Sequence, residues 1–180
     1  MLELDGELVR LDEARLGVSP GPSLDVVIGD ARLSLGRQQS RSYDVIIGDA
    51  FGHLAVPWHL TTKEFVDDVR RVLRPDGVYA LNVIDYPPDR LIRAEVATIQ
   101  LAFRYVALIA PPEALAGRAG SNFVVLASNS PLPLDRLRPL IAGLPRLASV
   151  LDGQALSDFR GDARPLTDDY APVDQLLQRP

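Results

Sequence analysis

The chain has 180 residues, 47% of them hydrophobic and 24% charged, with a formal net charge of −5. This balance suits a single globular domain with a proper core and argues against a general nucleic-acid binder, which needs a basic face. The absence of cysteine excludes disulfides and thiolate metal sites and fits a reducing cytoplasm. Short apolar runs and acidic first residues argue against a membrane span and a signal peptide.

In chain order, Met1-Leu2-Glu3-Leu4-Asp5 reads as the last residues of a strand that ends in acids. Residues 6–16 carry Leu8, Leu11 and Leu16 at helical spacing, which predicts a short amphipathic helix. Ser19-Pro20-Gly21-Pro22-Ser23 is a loop. Residues 24–29 predict a second strand, followed by Asp30, and residues 43–48 a third, followed by Asp49. Both strands are too continuously apolar for a half-exposed sheet, so burial on both faces is expected.

Residues 50–60 form a loop holding His53, Pro57, Trp58 and His59. Thr61-Thr62-Lys63-Glu64 predicts a capping box that opens a helix running to about Leu73, with Phe65, Val69 and Val72 inside. Arg74-Pro75-Asp76-Gly77 stops it. Residues 78–84 predict a strand, and a helix after Pro87-Pro88 runs to about Phe103. Residues 104–110 and 122–127 predict two strands paired antiparallel at a sheet edge. A helix is expected from Pro133, irregular chain from 143, and a short terminal helix after Asp168-Asp169-Tyr170.

This order gives an α/β, Rossmann-like sheet of the methyltransferase type: mostly parallel, with helices on both faces and an antiparallel edge pair, in one domain spanning 1–180. In open α/β sheets ligands bind beyond the carboxyl ends of the strands. Glu3, Asp30 and Asp49 occupy three such ends. A carboxylate at Glu3 suits a ribose diol, or is simply an exposed acid. Asp30 reads an adenine edge, caps the turn that follows, or does both. Asp49 follows four apolar residues, where a buried or half-buried acid needs a partner or a function. His53 and His59 match no metal spacing with Asp49, and no G-x-S-x-G elbow supports a hydrolase. Trp58 reads as a core or loop anchor. Asp168 reads as a cap, while Asp169 and Tyr170 either cap as well or fold back over the pocket.

The block Tyr43-Asp44-Val45-Ile46-Ile47-Gly48-Asp49-Ala50-Phe51, followed by Val56-Pro57-Trp58-His59-Leu60-Thr61-Thr62-Lys63-Glu64-Phe65, resembles the spermidine synthase (polyamine aminopropyltransferase) family, in its divergent bacterial spermidine synthase-like branch. Leu2-Glu3-Leu4-Asp5, Gly29-Asp30-Ala31-Arg32, Leu73-Arg74-Pro75-Asp76-Gly77-Val78 and Leu166-Thr167-Asp168-Asp169-Tyr170-Ala171-Pro172-Val173 add to it in the family's order. The resemblance implies a cytoplasmic transferase, without a metal, that moves an aminopropyl group from decarboxylated S-adenosylmethionine to a small cationic amine. It assigns Glu3 to the ribose hydroxyls, Asp30 and Ala31 to adenine, and Asp49 to the amine and its proton; it also implies a homodimer.

Two departures stand out against the family. Its polyamine-active members carry a second acid three residues after the first, where this chain has Gly52. Its first Rossmann strand and glycine-rich loop are expected ahead of Met1, so the fold is expected to be truncated at the N-terminus. These departures keep two other readings open: an S-adenosylmethionine-dependent methyltransferase, and a non-catalytic interaction domain of the same fold.

Overall fold

A computed structural model describes residues 1–18, 20–52, 56–143 and 147–177. The chain divides into two compact units, Met1–Gln39 and Ser40–Pro180.

The first unit holds strand β1 (Leu2–Glu3), helix α1 (Gly6–Leu16), strand β2 (Val27–Ile28) and helix α2 (Ala31–Gly36). β1 and β2 run parallel, with Glu3 opposite Ile28. Helix α1 begins where Asp5 caps it, accepting hydrogen bonds from the Glu7 and Leu8 amides at 2.8 and 3.3 Å, and it ends at Gly17, whose φ of 69° is the left-handed stop that glycine allows. Of this unit's large apolar side chains, Val9 and Leu35 are buried, while Leu4, Leu8, Leu11, Leu16, Ile28 and Leu33 are exposed.

The second unit holds strand β3 (Tyr43–Gly48), helix α3 (Lys63–Val72), strand β4 (Leu73–Asp85), helix α4 (Arg90–Ile99), strand β5 (Tyr105–Ala110), helix α5 (Pro112–Leu115), strand β6 (Ser121–Ser128), helix α6 (Leu134–Ala142), strand β7 (Ser149–Asp152), helix α7 (Gly153–Arg160) and helix α8 (Val173–Leu176). Its five-stranded sheet has the order β3-β4-β6-β5-β7. The sheet is mixed: β3 and β4 are parallel, β6 is antiparallel to both β4 and β5, and β7 is antiparallel to β5. The core lies along β4 and α4, where Tyr79, Leu81, Val83, Leu91, Ile92, Val96 and Ile99 are buried together with Phe123 and Val125 of β6. Helices α3 and α4 pack on β4, and α7 packs on β5.

Several expectations change. β3 is an edge strand of its sheet, and Val45 and Ile47 on one face of it are 54% and 73% exposed, so it is not buried on both faces. Ile28 of β2 is likewise exposed. The Thr62 hydroxyl does cap α3, accepting from the Phe65 amide at 3.4 Å. With Thr62 as the cap, Glu64 is the second helical residue, one short of the capping-box position, and its carboxylate accepts the Asp168 amide at 3.0 Å. Arg74–Gly77 ends the helix but already belongs to β4. Beyond 143, strand β7 and helix α7 replace the expected irregular chain, and β7 extends the antiparallel pair outward along β5.

Candidate functional site

Each unit presents acids at the carboxyl ends of its parallel strands. In the first unit, Glu3 closes β1 and Asp30 follows β2 by two residues. The Gly29 amide donates to the Glu3 carbonyl at 2.8 Å, which sets the two strand ends level. Glu3 Oε1 accepts the Asp5 amide at 2.9 Å, so one carboxylate oxygen is engaged locally. Asp30 is the N-cap of α2 and accepts the Leu33 amide at 2.9 Å. Ala31 is the first residue of that helix. The capping role of Asp30 is therefore present in the structure.

In the second unit, Asp49 follows Gly48 at the end of β3. It is exposed, so the argument from a burial penalty does not apply to it. Its position is set by Asn82 on β4, whose amide nitrogen donates to Asp49 Oδ1 at 2.9 Å. The register explains the contact: Gly48 is paired with Leu81, so the next residues on each strand are neighbours. Gly48 is required here by close approach, since a Cβ on it would lie 2.9 Å from the Tyr79 hydroxyl and 3.0 Å from Leu81 Cδ1. Asn82 was legible in principle as the lone amide in the apolar run of β4.

Three residues past Asp49, Gly52 lines a cavity of about 610 Å³ together with Trp58, Asp169, Tyr170 and Asp174. Trp58 is 52% exposed, so it is a wall of this cavity and not a buried anchor. Its ring meets His59 edge-on at 5.8 Å. His53 lies outside the described residues. The closing segment folds back onto the second unit. Thr167 and Tyr170 exchange backbone hydrogen bonds at 2.9 and 2.8 Å, and the Lys63 amide donates to the Leu166 carbonyl at 2.9 Å. Asp168 caps no helix, because α8 begins only at Val173. Asp169 and Tyr170 line the cavity that holds Gly52 and Trp58. Among the described residues, no group of three or more His, Asp or Glu is placed to hold a metal ion.

An acid pair at the end of β4 and the start of α4 was missed. Asp85 ends β4 fully buried. Its two oxygens accept the Tyr86 amide at 2.8 Å and the Ile92 amide at 2.9 Å. Burial pushes its carboxyl up to about 6 against the pull of those amides, with Asp89 adding to the rise. Asp89 is the positional N-cap of α4, yet its side chain makes no cap hydrogen bond, and both its oxygens are buried without a partner. Burial raises its carboxyl as well, while Arg93 pulls it down. Asp85 thus caps α4 from the strand, in place of the residue next to the helix.

No protein-family model matches the chain. The polyamine aminopropyltransferase of Vibrio vulnificus is 26% identical over 191 residues, covering 98% of this chain and 60% of that protein. A probable spermidine synthase from Corynebacterium glutamicum superposes with a TM-score of 0.86 at 28% identity, over 99% of this chain and 65% of that one. The chain is thus similar to aminopropyltransferases in both sequence and fold. A spermidine synthase solved in complex with the transition-state analogue AdoDATO shares the fold at a TM-score of 0.61 and 17% identity, covering 99% of this chain and 57% of that one. The chain therefore spans less than two thirds of the length of each of these aminopropyltransferase relatives.

Proposed function

We propose that this chain acts in aminopropyl transfer from decarboxylated S-adenosylmethionine to a small cationic amine. The observation that carries the reading is the placement of Asp49. It is an exposed carboxylate oriented by Asn82 at 2.9 Å, three residues before Gly52, which lines a cavity together with Trp58, Tyr170, Asp169 and Asp174. Acids and aromatic faces are the chemistry that receives an amine cation. Asp169 and Asp174 supply carboxylates to a cavity whose Gly52 wall has none.

In this reading the amine arrives protonated, because such nitrogens titrate near ~10 as lysine does. Asp49 takes the proton as the nitrogen lone pair attacks the carbon next to the sulfonium. The carbon–sulfur bond breaks, its electrons stay on sulfur, and methylthioadenosine leaves. The positive charge of the sulfonium disappears in that step, so alignment matters more than any added charge; holding the two reactants together can contribute roughly 7–11 kcal/mol. On the first unit, Glu3 is assigned the ribose hydroxyls through the oxygen that Asp5 does not occupy, and Asp30 with Ala31 the adenine.

The test is methylthioadenosine release from decarboxylated S-adenosylmethionine across a panel of amines, alongside calorimetry with both forms of the cofactor. Turnover with at least one amine and tighter binding of the decarboxylated form are expected. An inert chain that binds S-adenosylmethionine more tightly overturns the proposal and favours a methyltransferase.

A further inference from the structure

A smaller cavity, of about 240 Å³, has walls that carry four arginines: Arg90, Arg93, Arg160 and Arg164. Such a concentration of positive charge runs against a chain whose net charge is −5. Arg90 and Arg93 lie one turn apart on α4, and Arg160 ends α7. The chain then turns at Gly161, whose φ of 60° only glycine adopts readily, and this turn brings Arg164 to the same cavity.

Three of the four guanidinium groups contact neutral partners. Arg93 donates to the Phe159 carbonyl and stacks 4.4 Å above the Phe159 ring. Arg160 donates to the Gln100 side-chain oxygen at 3.2 Å and to the Gly161 carbonyl at 3.1 Å. Arg164 lies 3.6 Å over the Tyr170 ring. Among the described residues none of the four is within ion-pair distance of a carboxylate, whereas Arg70, Arg71, Arg74, Arg118 and Arg138 all are. The acids that face the cluster are Asp162 in the cavity wall and Asp89, which interacts with Arg93 from the start of α4.

Four arginines around one small cavity concentrate positive charge there, and an anion in the cavity would offset their mutual repulsion. Their planar forks match the tetrahedral oxygens of a phosphoryl group, which they bind two bonds at a time. The volume is below the usual range for a whole nucleotide-sized ligand. We propose that this cavity binds a phosphate-type oxyanion carrying one or two phosphoryl groups. The cavity is separate in composition from the one lined by Gly52 and Trp58 but shares Tyr170 with it.

Calorimetric titration of the whole chain with inorganic pyrophosphate and inorganic phosphate at low ionic strength tests the assignment. Saturable binding of at least one of them is expected. The exposed pair Arg90→Gln and Arg164→Gln, made together, should weaken it by roughly tenfold or more, as expected for losing charged hydrogen bonds. The control Arg37→Gln with Arg136→Gln removes two charges that do not line the cavity and should leave binding unchanged. Absence of binding by either anion, an undiminished affinity in the Arg90/Arg164 variant, or an equal loss in the control each overturns the proposal. None of these outcomes depends on aminopropyl transfer.

Discussion

β3 and β4 are parallel neighbours, and each is an apolar run closed by an acid, yet the two acids are placed for opposite tasks. Asp49 at the end of β3 is exposed and held by one side-chain amide at 2.9 Å. Asp85 at the end of β4 is fully buried and held by two backbone amides. β3 is the outer strand of the sheet, while β4 lies between β3 and β6. Position in the sheet thus decides the setting of an otherwise similar strand end: the edge leaves a carboxylate open to solvent, and the interior uses one to fasten a helix.

The largest expected effect separates those two roles. Asp49→Asn keeps an acceptor for Asn82 but removes the proposed proton acceptor, so aminopropyl turnover should fall about 10²–10⁴-fold, with folding stability within about 0.5 kcal/mol of the parent. A variant that turns over normally breaks the comparison, because Asp49 would then be as passive as any surface acid. Next in size is a pair of aliphatic truncations on the two strands. Leu81 of β4 is 2% exposed and Ile47 of β3 is 73% exposed. Leu81→Ala should cost about 2–5 kcal/mol in urea denaturation, and Ile47→Ala less than about 0.5 kcal/mol. Similar losses at both positions would mean that the outer face of β3 is covered in solution.

A third prediction concerns the helix behind β4. Glu95 on α4 is fully buried, and neither of its oxygens has a partner. Burial holds its carboxyl well above the ordinary range, and its presence, after burial itself, helps raise the Tyr79 hydroxyl. Replacing it by methionine, of similar length and no polar head, should stabilise the fold by roughly 1–3 kcal/mol at neutral pH. An acid whose pKa is higher folded than unfolded contributes most below its unfolded value, and that contribution is lost as pH rises toward the folded one. The gain in Glu95→Met should therefore be larger at pH 8 than at pH 5, as thermal melts at the two values would show. A loss of stability instead would point to a partner for Glu95 that the fold hides.

Much of this was legible in the sequence, and the gaps have physical causes. The Thr62 cap, the break at Pro87-Pro88 and the strand ends at Glu3 and Asp49 are local signals, and each appears where the residues place it. Asn82 was overlooked because a single amide in a strand carries no period, although its register with Asp49 follows from the pairing of Gly48 with Leu81. β7 has four residues and exists because β5 offers it an open edge, information that lies some forty residues away in the chain. Glu95 was hidden by its type. A charged residue suggests an exposed helix face, but Leu91, Ile92, Ala94, Val96, Ala97, Thr98 and Ile99 are buried around it, and a helix apolar on nearly every side is a buried one.

The smallest effect tests the capping role of Asp85 most directly. Its carboxyl is pushed up to about 6, first by burial and then by Asp89, against the amides of Ile92, Tyr86 and Leu91. An unfolded aspartate titrates near ~3.9. Between those values the folded chain holds a proton that the unfolded chain has released, so the stability contributed by Asp85 is full below about pH 4, declines as pH rises and levels off above about pH 6. Between pH 4 and pH 6.5 the decline should amount to about 2 kcal/mol. Asp89 and Glu95 are raised in the same direction, so the parent slope is a sum. Asp85→Asn cannot titrate, and it should remove its own share of the slope between pH 4 and 6 while leaving the rest. It should also be less stable at every pH, because an amide offers one acceptor oxygen to two backbone donors. Urea denaturation at pH 4 and pH 6.5 on both proteins measures the two effects separately. A pH difference unchanged by the substitution would mean that Asp85 stays charged, and that the α4 amides outweigh the burial that distinguishes it from Asp49.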